Sequence, residues 1–98
     1  MVEVRWTPQA VDDLESITSF IAKDSPYYAR LFAIDALGAV DRLPKFPRSG
    51  RVVPELKNPV IREILLGNYR IVYRLREELA EILTVYHGAK LLNPGKLK

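Results

Sequence analysis

The chain has no cysteine and one histidine, His87, in 98 residues. Without cysteine there are no disulfides and no thiolate metal sites, and nothing argues for an oxidising compartment. With one histidine, only carboxylates remain as further metal ligands, so a metalloenzyme is disfavoured and no metal or other cofactor is expected. No stretch approaches the roughly 18 consecutive apolar residues of a membrane-spanning helix, and no membrane partner is expected. The start, Met1-Val2-Glu3-Val4-Arg5, lacks the basic-then-apolar order of a signal peptide, so a cytoplasmic location is expected. Strong charge of one sign is also missing. Fifteen Lys and Arg face twelve Asp and Glu, a net charge of +3. The cations are scattered and no helix-turn-helix pattern appears, which disfavours a stand-alone DNA-binding protein. The mild basicity admits an acidic partner or nucleic acid without requiring either.

What is present is a patterned chain, 48% hydrophobic and of one-domain length, taken as a single domain over 1–98. Val2 to Trp6 alternates like a short strand. Thr7-Pro8 supplies an N-cap and a first-position proline, and Asp12 and Asp13 suit the positive end of a helix dipole. Ala10, Leu14, Ile17 and Ile21 recur at helical spacing up to about Lys23. Asp24-Ser25-Pro26 repeats the start signal, and a stripe from Ala29 through Ala36 to Leu43 continues until Pro44. So short a connection predicts an antiparallel helical hairpin. From Pro44 to Pro59 the prolines are too frequent for a regular element. Three strand-like runs follow between Val60 and His87, separated by Gly67-Asn68 and Glu77-Glu78. Segment 88–98 reads as a flexible tail. The order is β-α-α-β-β-β, an α+β fold with the hairpin packed on one face of a small antiparallel sheet.

Two-residue turns fix an expected register. Gly67-Asn68 pairs Leu66 with Tyr69, Ile64 with Ile71, Glu63 with Val72 and Ile61 with Arg74. Glu77-Glu78 pairs Val72 with Leu83 and Arg70 with Val85. The helix-covered face then holds Ile64, Leu66, Tyr69, Ile71, Tyr73, Leu75, Ile82 and Tyr86. The open face gathers Glu63, Arg70, Arg74, Glu81 and His87 around a floor of Ile61, Leu65, Val72, Leu83 and Val85. A one-residue slip would carry His87 to the other side. Arginines in register on the second face of a strand suit an anionic ligand. They equally suit a solvated or ion-paired face, with Glu63 and Glu81 as partners.

Several stretches together resemble the RelE/ParE superfamily of bacterial toxins. They are Trp6-Thr7-Pro8-Gln9-Ala10-Val11-Asp12-Asp13-Leu14, Pro47-Arg48-Ser49-Gly50-Arg51-Val52-Val53-Pro54-Glu55-Leu56, Arg62-Glu63-Ile64 leading to Tyr69-Arg70-Ile71-Val72-Tyr73-Arg74, and Val85-Tyr86-His87-Gly88. The match runs along nearly the whole chain in order. It implies the toxin of a type II toxin–antitoxin (plasmid stabilisation) module, with a helical hairpin on an antiparallel sheet, silenced by a cognate antitoxin.

The superfamily divides by target. RelE-like members cleave ribosome-bound mRNA, whereas ParE-like members poison DNA gyrase. Arg70 matches the strand arginine of cleaving toxins, but Ile61 and Glu63 stand where RelE has lysines, and Gly88-Ala89-Lys90 replaces the usual tyrosine or arginine after the last strand. One cleaving branch uses a glutamate and a terminal histidine, which Glu55 and His87 would supply beside Arg70 as the catalytic set. The wording of Gly50-Arg51, Pro54-Glu55-Leu56 and Arg62-Glu63 is closer to ParE, so gyrase inhibition is the expected activity. An mRNA endoribonuclease or an inactive antitoxin-binding module are the alternatives. Arg62, Arg70, Arg74 and Lys90 are the candidate target- or anion-binding residues. Ile61, Leu65, Val72 and Leu83 form the expected antitoxin-binding face, since a contiguous apolar floor marks an interface, and the expected partner is an apolar, acidic antitoxin segment. The plainer alternatives are a Glu55 that caps or pairs with Arg51 or Lys57, an Arg62 whose stem packs at the sheet edge, a surface His87, and core positions for Trp6 and Tyr69. Tyr27 and Tyr28 fit core or partner surface.

Overall fold

The structure, a computed structural model, describes residues 1–88. The expectations for a flexible tail and for Lys90 lie outside the described residues, apart from Gly88. The elements are β1 (Glu3–Trp6), α1 (Pro8–Asp24), α2 (Pro26–Val40), β2 (Arg51–Val52), β3 (Ile61–Leu66), β4 (Tyr69–Arg76) and β5 (Leu79–His87), and the strands lie in the order β1-β5-β4-β3-β2. Strands β2 to β5 are antiparallel neighbours. The sheet is nevertheless mixed, because β1 joins β5 in parallel, from Glu3 beside Leu79 to Trp6 beside Ile82. No hairpin links these two strands, so no local turn constrains their relative direction.

Both helices start where expected. The Thr7 hydroxyl accepts from the Ala10 amide and the Ser25 hydroxyl from the Tyr28 amide, each ahead of a proline. Helix α2 ends at Val40, not at Pro44. Beyond it the Arg42 and Leu43 amides turn to carbonyls three residues back, which tightens the chain out of α-geometry. Leu43 remains fully buried. The main core lies between the helices and the sheet, with Ala10, Ala36, Val40, Leu43, Ile71, Tyr73, Ile82 and Val85 at its centre.

The opposite sheet face is not open. Val72 and Leu83 are buried there under Val53, with Leu56, Ile61 and Tyr86 packed around them. The expected floor is therefore largely covered by the chain's own proline-rich segment. That segment contains β2 and then a turn in which the Leu56 and Lys57 amides both donate to the Val53 carbonyl, Lys57 standing in the left-handed region at φ 53°.

Register decides which side chains meet. Between β3 and β4 all six pairs fall as expected, from Ile61 beside Arg74 to Leu66 beside Tyr69. Between β4 and β5 the expected pairing holds from Arg76 beside Leu79 to Tyr73 beside Ile82. An irregularity then follows, and Val72 sits beside Thr84, Arg70 beside Tyr86 and Tyr69 beside His87. Leu83 is the extra residue of a β-bulge. Beyond it every side chain changes sides relative to the expectation. Tyr86 takes the place expected for Val85 beside Arg70, Val85 joins the main core, and His87 leaves the face it was expected to share with Arg70. The bulge is held from α1, where Asp13 Oδ2 accepts from the Thr84 hydroxyl and from the Val85 amide at 3.1 Å. The Thr7 hydroxyl meanwhile donates to the Ile82 carbonyl at 2.7 Å. These bonds take up backbone groups that a disrupted ladder would leave unpaired.

Candidate functional site

Arg70 is the centre of the second face. It sits on β4, buried, with only 9% of its side chain exposed. Its Nε donates to Glu63 Oε1 at 2.5 Å, while Nη1 and Nη2 donate to the two carboxylate oxygens of Glu55 at 2.8 Å each. The second oxygen of Glu63 accepts from Arg51 Nε at 2.7 Å. Glu63 is thus a fully buried carboxylate on β3 shared by arginines from β2 and β4. Such a carboxylate is tolerable in the interior only because it is paired on both oxygens. The Glu55 clamp raises the Arg70 pKa still further above its ordinary value, outweighing the opposing effect of burial.

Tyr86 completes the cluster. Its ring lies 5.2 Å from Arg70 Cζ, within cation–π range. Its hydroxyl is buried with no hydrogen-bond partner among the described residues. Burial pushes this phenol up to about 12, the Arg70 charge opposing the shift, so it stays protonated at neutral pH. Gly88 closes over the arginine stem. A Cβ there would sit 3.1 Å from the Asn68 carbonyl and 3.4 Å from Arg70 Cδ, and its amide bonds Asn68 at 2.7 Å.

Of the residues proposed from sequence, Arg70 and Glu55 come together and His87 does not. The ring of His87 packs edge-on against Tyr69 at 5.3 Å, and Tyr69 in turn against Phe32 of α2 at 5.0 Å. That places His87 on the helix side of the sheet. Arg74 pairs with Glu81 at 3.1 Å, as the register implied. Arg62 lies not at the sheet edge but on β3, between Val52 of β2 and Tyr73 of β4, and its guanidinium donates to the carbonyls of Pro59 and Gly50 at 3.1 and 2.9 Å, tying the segments on either side of β2 to β3. Glu55 pairs with Arg70, in place of the Arg51 or Lys57 pairing considered above. Tyr86 and the double role of Glu63 escaped the sequence reading. Tyr86 was hidden by the bulge, whereas the alternation of Glu63 with Ile64 already placed it opposite Val72, next to Arg70.

A small α+β domain with two helices on a five-stranded sheet and an arginine clamped by carboxylates on the far face is the frame into which the comparisons fall. The family model of the ParE toxin of the type II toxin–antitoxin system parDE matches residues 4–92, and the chain belongs to this family. Its relatives include Y4kP of Sinorhizobium fredii, named as a candidate toxin, which is 38% identical over 87 residues, 87% of this chain and 86% of that protein. Among solved structures, the chromosomal ParDE system of P. aeruginosa superposes with a TM-score of 0.73 at 22% identity, covering 89% of this chain and 96% of that one. The toxin–antitoxin complex RelBE2 of Mycobacterium tuberculosis gives 0.60 at 27% identity, with 92% and 97% covered. The chain is a toxin of a type II toxin–antitoxin system. No helix among the described residues is long and apolar enough to cross a membrane.

Proposed function

We propose that this toxin acts in the cytoplasm by ParE-like inhibition of DNA gyrase and is neutralised by a cognate antitoxin. The observation that favours this over mRNA cleavage is the position of His87. It packs on Tyr69 on the helix side, while Arg70 and Glu55 meet on the other face. RNA cleavage of the glutamate–arginine–histidine type needs a proton-transfer group within hydrogen-bond reach of the scissile phosphate. The aromatic group that does reach Arg70 is Tyr86, a phenol held at about 12, which is a poor proton acceptor near neutral pH. Ile61 and Glu63 in place of lysines point the same way. Glu63 also neutralises the arginine that would otherwise stabilise developing phosphorane charge.

The antitoxin is assigned a different surface from the sheet floor. Val72 and Leu83 are covered, whereas Leu65 remains 53% exposed. On α2, Tyr27, Leu31 and Ile34 recur at helical spacing and are also exposed. Leu65 and the exposed Phe46 border a groove that Arg42 and Arg51 also line. Exposed apolar surface of this extent marks an interface. An apolar antitoxin segment carrying acidic residues complements both the stripe and the arginines.

Induction in a bacterial host carrying a DNA-damage reporter tests the reading. Growth arrest with a raised reporter signal, silenced by the antitoxin and abolished by Arg70→Ala, is expected. Arrest with halted translation and a silent reporter would favour mRNA cleavage, and no arrest would leave a binding module.

A further inference from the structure

Helix α2 is apolar on two faces. Its inward face buries Ala29, Ala36 and Val40. Its outward face carries Tyr27, Leu31, Ile34 and Gly38, with Tyr27 and Ile34 62% and 57% exposed. A helix that is apolar all round belongs inside a core or an interface. The spacing of four, three and four residues is that of the seam positions of a coiled coil, which keep one stripe facing a partner helix. Gly38 fits such a seam. A Cβ there would meet nothing within 4 Å, so no contact inside the chain calls for glycine at a helical position where it lowers stability. Glycine does let a second backbone come close.

The only charges among the 15 residues of α2 are Arg30 and Asp35, and they flank the stripe on opposite sides. Both are exposed, and neither makes an ion pair or a side-chain hydrogen bond among the described residues. We propose that α2 is a self-pairing surface: two copies of the toxin pack their α2 stripes in parallel about a twofold axis, with Arg30 of each copy against Asp35 of the other. In a parallel pair, a residue flanking the seam on one side meets the residue five positions further along, on the opposite flank of the partner helix. Arg30 and Asp35 stand at that separation with opposite signs, and the twofold axis makes the ion pair twice. An antiparallel pair brings like flanks together, which sets Arg30 against Leu37 and leaves its charge unanswered. Helix α2 is about 22 Å long, so one such pair falls at the small end of specific interfaces and its Kd is micromolar. The stripe is the one assigned above to the antitoxin, and antitoxin and second toxin exclude one another there. The pairing is read from α2 alone and goes beyond the proposed function.

Sedimentation equilibrium of the purified full chain, free of antitoxin and at low ionic strength, tests the pairing across the micromolar range. The wild type should dimerise reversibly, and a chain that stays monomeric would overturn the proposal. Arg30→Asp or Asp35→Arg alone sets like charges together at both contacts and should weaken the dimer about tenfold or more. Mixing the two variants in equal amounts restores opposite charges at both contacts, and should return a dimer of near wild-type affinity with one chain of each. A dimer indifferent to both substitutions, or weakened by each without recovery on mixing, would equally overturn the proposal. Should either variant fail to fold, Arg30→Gln removes the attraction without adding repulsion. It should weaken the dimer severalfold, and wild-type affinity there would refute the pairing.

Discussion

Replacing Glu63 by glutamine removes the charge that Arg51 and Arg70 share at 2.7 and 2.5 Å inside the sheet. The two halves of this interaction carry unequal weight. The Arg51 side chain is 53% exposed and regains water when released, so its share is within about 1 kcal/mol. Arg70 is only 9% exposed and keeps Glu55, yet its Nε loses a charged acceptor in a dry setting. Breaking a buried pair typically costs about 3–5 kcal/mol, and the surviving Glu55 clamp places Glu63→Gln at the lower end, about 3 kcal/mol. For a domain of this length that corresponds to a Tm lower by roughly 12–24 °C. Thermal and urea unfolding of the four members of a Glu63→Gln, Arg70→Met cycle gives the coupling directly. The double variant should be about 2 kcal/mol more stable than the sum of the single losses implies, because Arg70→Met removes the guanidinium that Glu63→Gln leaves short of a partner. Losses that add within about 0.5 kcal/mol would refute the view that this pair is an energetic unit.

Three further outcomes follow from the same geometry. Gly50→Ala places a methyl 2.7 Å from both the Glu63 carbonyl and the Tyr73 hydroxyl, and this overpacking should cost about 1–3 kcal/mol in urea unfolding; wild-type stability would contradict the packing. Asp13→Ala strips the bulge of the acceptor for Thr84 and the Val85 amide, and charge-assisted bonds of this kind place the loss at about 2–3 kcal/mol. Hydrogen exchange at the Val85 amide should quicken in step, and unchanged protection would show that Asp13 does not hold the bulge. Finally, Tyr86 titrates near 12 in the folded chain against about 10 when unfolded. The unfolded chain therefore releases this proton first, and the stability present below pH 10 declines as pH rises towards 12. A Tm series from pH 8 to 11.5 should fall more steeply for the wild type than for Tyr86→Phe, and parallel slopes would exclude Tyr86 as the cause.

Much of the fold was legible because its signals are local. Thr7-Pro8 and Ser25-Pro26 announce both helices, and Gly67, at φ 57°, marks the turn that sets the β3–β4 register and puts Glu63 and Arg70 side by side. What was not legible depends on distant partners. The bulge at Leu83 carries no glycine, and the groups that stabilise it, Thr7 and Asp13, lie more than seventy residues earlier. One extra residue there moved His87 off the Arg70 face, put Tyr86 beside Arg70 and so changed the chemistry of the candidate site. The prolines of 44–59 correctly signalled an irregular path. They could not show that Val53 would cover the sheet floor, or that Glu55 would arrive on Arg70. The parallel docking of β1 has no local signal at all.

The central claim is best tested with purified toxin, freed of antitoxin, in gyrase supercoiling with detection of trapped cleavage complexes and in primer extension on mRNA in translating ribosomes. The account predicts inhibited supercoiling, trapped gyrase and intact mRNA. Codon-phased mRNA cuts with unaffected gyrase would contradict it.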